Sequence, residues 1–89
     1  MVKREAVIQN EAGIHCRPSA ILVETRNAYS GEVTVRSDQG VITLKSALEC
    51  IMLGLEKGAR VTIEVEGPDE AQFAEELVAL FERQFDFSA

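Results

Sequence analysis

The 89-residue sequence predicts an α+β fold: an open-faced two-layer sandwich whose four-stranded, mostly antiparallel sheet carries three helices on one face, in the order β-α-β-β-α-β-α. Three observations lead there. Four segments alternate apolar and polar residues with period two, and three others place apolar residues at helical offsets. Strands that keep one polar face need helices on the other face only.

The opening segment sets Val2, Arg4, Ala6 and Ile8 against Lys3, Glu5, Val7 and Gln9, a strand of mixed polarity. Asn10 to Gly13 is turn chemistry. From Pro18 the period changes: Ile21, Leu22, Thr25, Ala28 and Tyr29 share one helical face, with Glu24, Arg26 and Asn27 facing away. Ser30-Gly31 ends that helix. Glu32 to Ser37 alternates around Val33 and Val35, Asp38-Gln39-Gly40 forms a tight hairpin connection, and Val41 to Leu44 returns as a strand.

A short helix follows from Ala47, with Leu48, Ile51, Met52 and Leu55 at i, i+3, i+4 and i+7, punctuated by Gly54 and Gly58. Arg60 to Glu66 is the cleanest strand, with Val61, Ile63 and Val65 on one face. After Gly67-Pro68-Asp69 a closing helix runs to about Gln84, with Ala74, Leu77, Val78, Phe81 and Phe85 on its buried stripe. Asp69 and Gln72 have capping-box spacing, and Glu70 suits the positive end of the helix.

Composition narrows the function. The length predicts one domain over residues 1–89, and the 46% hydrophobic fraction supports a folded core. Apolar runs are too short for a transmembrane helix, and no apolar run follows the N-terminal Lys3-Arg4 pair as a secretory signal requires, so a cytoplasmic location is expected. Two cysteines without CxxC spacing and one histidine give no disulfide framework and no expected metal site. Cys50 is expected to pack as a small apolar group. A net charge of −6 and the lack of a basic stripe oppose nucleic-acid binding.

The chemistry gathers at Gly13-Ile14-His15-Cys16-Arg17-Pro18-Ser19-Ala20. Neutral imidazole is available as a nucleophile near pH 7. A helix start beside it offers unpaired N–H groups and the positive end of a dipole, and a guanidinium adds planar donors for phosphate oxygens. Two helix starts are open. Pro18 as first helical residue makes Arg17 the cap; a start at Cys16 makes His15 the cap and leaves the Cys16 and Arg17 N–H groups to cradle a phosphate. Either puts His15 at the positive end. A lone histidine beside a cap is commonly just a surface residue, but packing gives no reason for His15 and Arg17 together. The helix start and Arg17 would also lower the pKa of the Cys16 thiol.

This run is similar to the phosphorylation-site motif of the histidine-containing phosphocarrier (HPr) family of the bacterial phosphotransferase system. Lys45-Ser46-Ala47-Leu48 resembles that family's regulatory serine segment, Leu53-Gly54-Leu55-Glu56-Lys57-Gly58-Ala59 its following loop, and Glu66-Gly67-Pro68-Asp69-Glu70 the start of its last helix. The resemblance spans essentially the whole chain. It implies that His15 accepts a phosphoryl group through Nδ1 from Enzyme I, charged from phosphoenolpyruvate, and passes it to Enzyme IIA, with Arg17 stabilising the group in transit. It implies a monomeric relay rather than an enzyme, with no cofactor and no metal.

Ser46 with Glu49 reads as a capping box. The resemblance adds a regulatory reading, in which an ATP-dependent HPr kinase/phosphorylase modifies Ser46 in carbon catabolite regulation and a transcriptional regulator is a further partner. It also suggests Ala47, Leu48 and Ile51 as a partner-docking patch; the alternative is that Leu48 and Ile51 are core. Glu24, Asn27 and Glu49 stand where sugar-transport members often carry neutral or basic residues, and Cys16 replaces a common alanine or threonine. These departures leave open a regulatory, nitrogen-type paralogue whose phosphorylation selects protein partners. A third class, a small-molecule-sensing ACT-type sandwich, shares the element order but lacks a recommending glycine-rich loop.

Overall fold

The computed structural model describes residues 1–9, 16–54 and 56–82, with the backbone alone of residues 16–19, 47 and 51. Alternation turns into sheet as expected. β1 (Val2–Val7), β2 (Glu32–Ser37), β3 (Gly40–Ile42) and β4 (Arg60–Glu66) form one sheet in the order β1-β4-β2-β3, with every neighbour antiparallel. The register aligns Ala6 with Val61, then Val35 with both Ile63 and Ile42, then Val65 with both Val2 and Val33. Those rows face the helices, and Ala6, Val33, Val35, Ile42, Val61, Ile63 and Val65 are buried. The opposite face carries Arg36 paired with Glu64 at 2.7 Å and Arg60 with Glu5 at 3.0 Å, which leaves it open to water.

Three helices cover the apolar face: α1 (Cys16–Asn27), α2 (Ala47–Leu53) and α3 (Glu70–Glu82). α3 lies over β1 and β4 and buries Phe73, Ala74, Leu77 and Phe81. Its expected stripe gains Phe73, while Val78 is only half-buried and Phe85 lies outside the described residues. α3 is tied to the edge strand along its length. The Met1 ammonium meets Glu70 at 3.2 Å, Arg4 meets Glu75 at 2.6 Å, and Glu82 accepts the Val7 N–H at 3.0 Å. The Glu82 carboxylate thus takes one backbone N–H of the edge strand that would otherwise be available to another strand.

The start of α3 differs from the expected capping box. The Asp69 carbonyl accepts the Phe73 N–H at 2.9 Å, and the reach-back bond comes from Glu70, whose carboxylate accepts the Gly67 N–H at 3.2 Å. That bond, reinforced by the N-terminal ammonium, holds the Glu70 carboxyl below its ordinary range. Beneath the turn, Gly31 and Gly67 pack against each other under the Tyr29 ring. A Cβ at Gly31 would lie 2.6 Å from Tyr29 Cε2 and press on the Glu66 carbonyl oxygen. The Tyr29 ring stacks in turn on Phe73, centroids 4.0 Å apart.

Two expectations are corrected, and a third point is decided by packing. β3 stops at Ile42 rather than Leu44, because Leu44 takes φ +59° and turns its fully buried side chain into the core. Arg26, expected to face solvent, is 6% exposed; it folds under the last turn of α1 and donates to the Thr43 carbonyl at 3.1 Å and the Tyr29 carbonyl at 3.5 Å. Among the described side chains of α2, Cys50 and Leu53 are buried, while Leu48 and Met52, which the sequence places at helical spacing, are 63% and 78% exposed. A seven-residue helix with apolar residues on more than one side has no unique inward face by periodicity; packing against α1 and β3 selects it. Leu55 lies outside the described residues.

Candidate phosphoryl-transfer site

α1 begins at Cys16, so Pro18 is its third residue and not its first. Of the two helix starts the sequence allows, this is the one that leaves the Cys16 and Arg17 N–H groups unpaired within the helix, with Pro18 contributing none. The positive end of the α1 dipole therefore lies at the residue that follows His15 in the sequence. His15 itself lies outside the described residues, as do the side chains of Cys16 and Arg17. Leu22, fully buried, anchors α1 in the core, while Glu24 and Asn27 stand exposed.

The second candidate region is the segment joining β3 to α2. Ser46 is exposed, and its Oγ accepts the Glu49 N–H at 3.4 Å, the cap that the sequence spacing predicts. The Glu49 side chain does more than close a capping box. One carboxylate oxygen accepts the Thr43 N–H at 3.2 Å and the other the Lys45 N–H at 3.3 Å, so it straddles Leu44. A leucine in the left-handed region costs about 1–2 kcal/mol, and hydrogen bonds to a charged group contribute about 1.5–3 kcal/mol each. The grip of Glu49 and the burial of Leu44 together outweigh that strain.

Arg26 joins this segment to α1, since its Nε donates to the Thr43 carbonyl while Glu49 takes the Thr43 N–H. A continuous path of hydrogen bonds therefore runs from the last turn of α1 through Thr43 and Glu49 to Ser46. Sequence reasoning missed Arg26 and the reach of Glu49. The only available signal was a basic residue in the last turn of a helix, which marks carbonyls nearby but not whose.

Beside Ser46, α2 presents Leu48 outward with Met52 one turn on, and Val41 of β3 is 54% exposed. The structure thus separates Leu48 from the core, against the alternative that it is buried. Ala47 and Ile51 are placed on α2 by their backbone only. Among the described residues no helix is long and apolar enough to cross a membrane.

A family model described as the PTS HPr component phosphorylation site matches residues 2–83. The chain belongs to the HPr family. It is 39% identical over 82 residues to phosphocarrier protein HPr of Borreliella burgdorferi, covering 92% of this chain and 95% of that protein. It is also 36% identical over 86 residues to phosphocarrier protein NPr of Klebsiella oxytoca, covering 96% of both. The fold superposes on the crystal structure of HPr from Bacillus anthracis with a TM-score of 0.84 and 25% identity, over 91% of this chain and 96% of that one. The HPr-like sandwich and its element order are those the sequence predicts. The protein is an HPr-family phosphocarrier, a phosphoryl-transfer intermediate rather than a catalyst, which sets aside the ACT-type reading.

Proposed function

We propose that this phosphocarrier accepts a phosphoryl group on His15 from the phosphohistidine of an Enzyme I and passes it to a histidine of an Enzyme IIA. The carrying observation is the helix that begins at Cys16, directly after His15, within a stretch matched by the phosphorylation-site family model. In each transfer the acceptor nitrogen forms a bond to phosphorus as the donor's N–P bond breaks. The reaction needs positioning and charge stabilisation rather than further covalent chemistry. Cys16 and Arg17 supply backbone N–H donors, and the Arg17 guanidinium stabilises the charge in transit. The carrier works in the cytoplasm as a single-domain monomer without metal or organic cofactor.

Incubation with phosphoenolpyruvate and Enzyme I should give an acid-labile phosphate on the parent chain. His15→Ala should abolish it, and Arg17→Ala should slow its formation; label retained in His15→Ala overturns the assignment. Partners dock on α2 through Ala47, Leu48 and Ile51, a reading supported by the exposure of Leu48. Ser46, exposed beside that patch, is the acceptor for an ATP-dependent HPr kinase, and its modified form engages a transcriptional regulator.

A second reading is a nitrogen-type regulatory relay, favoured by the NPr of Klebsiella oxytoca among the relatives and by exposed Glu24 and Asn27 on α1. Competition between sugar-type and nitrogen-type Enzyme I for the carrier decides between them. Faster charging by the nitrogen-type donor supports the regulatory reading.

A further inference from the structure

Ser46 and Glu49 share one small piece of backbone. The Glu49 N–H is given to Ser46 Oγ at 3.4 Å, and the Glu49 carboxylate takes the Thr43 and Lys45 N–H groups on the chain leading into Ser46. Between those amides Leu44 is held at φ +59°, and the Thr43 carbonyl is the acceptor for buried Arg26.

We propose that Glu49 governs what modification of Ser46 does in this chain: a second anion on Ser46 expels the Glu49 carboxylate from the Thr43 and Lys45 amides and opens the β3–α2 segment. The inference rests on the reading of Ser46 as a phosphoryl acceptor. In that step the Ser46 oxygen forms a bond to the γ-phosphorus of ATP, the bond to the β,γ-bridging oxygen breaks, and ADP and the hydroxyl proton leave. The product adds about −1.5 to −2 charges to an oxygen already within hydrogen-bond distance of the Glu49 backbone. The carboxylate, half-buried and bound only through flexible side-chain torsions, is the mobile partner of the pair. Its departure removes the bonds on both sides of Leu44 and loosens Thr43, the residue that Arg26 uses to tie α1 to α2. Glu49 thereby converts a surface charge into a local opening that reaches the helix following His15.

Phosphoserine incorporated at position 46 of the full chain by an expanded genetic code tests this without a kinase. Amide hydrogen exchange at Thr43 and Lys45 should speed up about tenfold or more on phosphorylation of the parent, and change by less than about twofold in Glu49→Gln. Unchanged or slowed exchange in the phosphorylated parent overturns the proposal, as does equal acceleration in Glu49→Gln. The parent comparison stands alone should Glu49→Gln fold poorly. A separate incubation of the parent with ATP and an HPr kinase addresses the acceptor reading: no label at Ser46 removes that reading, while the exchange data still decide the role of Glu49.

Discussion

Replacing Gly31 by alanine tests the packing that fixes α1 against the turn into α3. The added Cβ would sit 2.6 Å from Tyr29 Cε2 and 2.9 Å from Tyr29 Cζ, with the Glu66 carbonyl closer still. The ring cannot simply retreat, because it is stacked on Phe73 at 4.0 Å, and the carbonyl belongs to the end of central strand β4. Overpacking of this kind costs about 1–3 kcal/mol. With backbone as one of the clashing groups, the upper half of that range applies, about 2–3 kcal/mol. For a domain of this size each kcal/mol shifts Tm by about 4–8 °C, so Tm should fall by roughly 8–24 °C.

Chemical denaturation followed by circular dichroism reads the free energy directly. Gly54→Ala is the control, because nothing lies within 4 Å of its added Cβ and only its φ of +65° opposes the change; it should cost about 1–2 kcal/mol. In a Tyr29→Ala background the Gly31→Ala loss should shrink, since one clashing group is gone. A Gly31→Ala protein within about 0.5 kcal/mol of the parent would refute the steric reasoning.

Leu77→Ala, which empties a fully buried site on α3, should lower unfolding free energy by about 2–5 kcal/mol in the same denaturation assay. Leu48→Glu should leave stability within about 0.5 kcal/mol while slowing charging by Enzyme I, measured as initial rate of phosphohistidine formation. Glu70 has its folded pKa lowered by the Gly67 N–H and the N-terminal ammonium, so its contribution is present above the unfolded carboxylate value of 4.5 and is lost as pH falls through the folded value. Glu70→Gln should flatten that acid limb of a stability–pH profile. Burial, with Glu70 and Asp69 nearby, raises the Tyr29 phenol above 10.0, so its contribution is lost as pH rises from 10.0 through the folded value. Tyr29→Phe should remove that alkaline decline at little cost, because the buried hydroxyl has no hydrogen-bond partner among the described residues.

Strands were the most legible part of the fold. In β2 and β4 strict alternation meets a sheet with one wet face, and the expected bounds, Glu32–Ser37 and Arg60–Glu66, are those observed. Short elements were less legible, since α2 has seven residues and its apolar side chains fit more than one inward face. Arg26 was read as outward because it is charged, whereas its burial depends on a carbonyl 17 residues away that no periodicity reports. The same holds for Glu49: its spacing from Ser46 announced a cap, but the reach to Thr43 follows from Leu44 turning left-handed. At the phosphoryl site the residue types were readable, and the structure contributes the helix start at Cys16.

The partnership of β1 with β4 and α3 sets a timetable for this molecule. Residues 2–7 find their strand neighbour at 60–65, and their side-chain and backbone ties to α3 span 71 to 75 positions. On a ribosome, the earliest strand made must therefore wait, unmatched, for nearly all the later chain to emerge. A nascent chain that stops short of β4 thus leaves its first strand with no partner in the sheet, however much of the rest has folded.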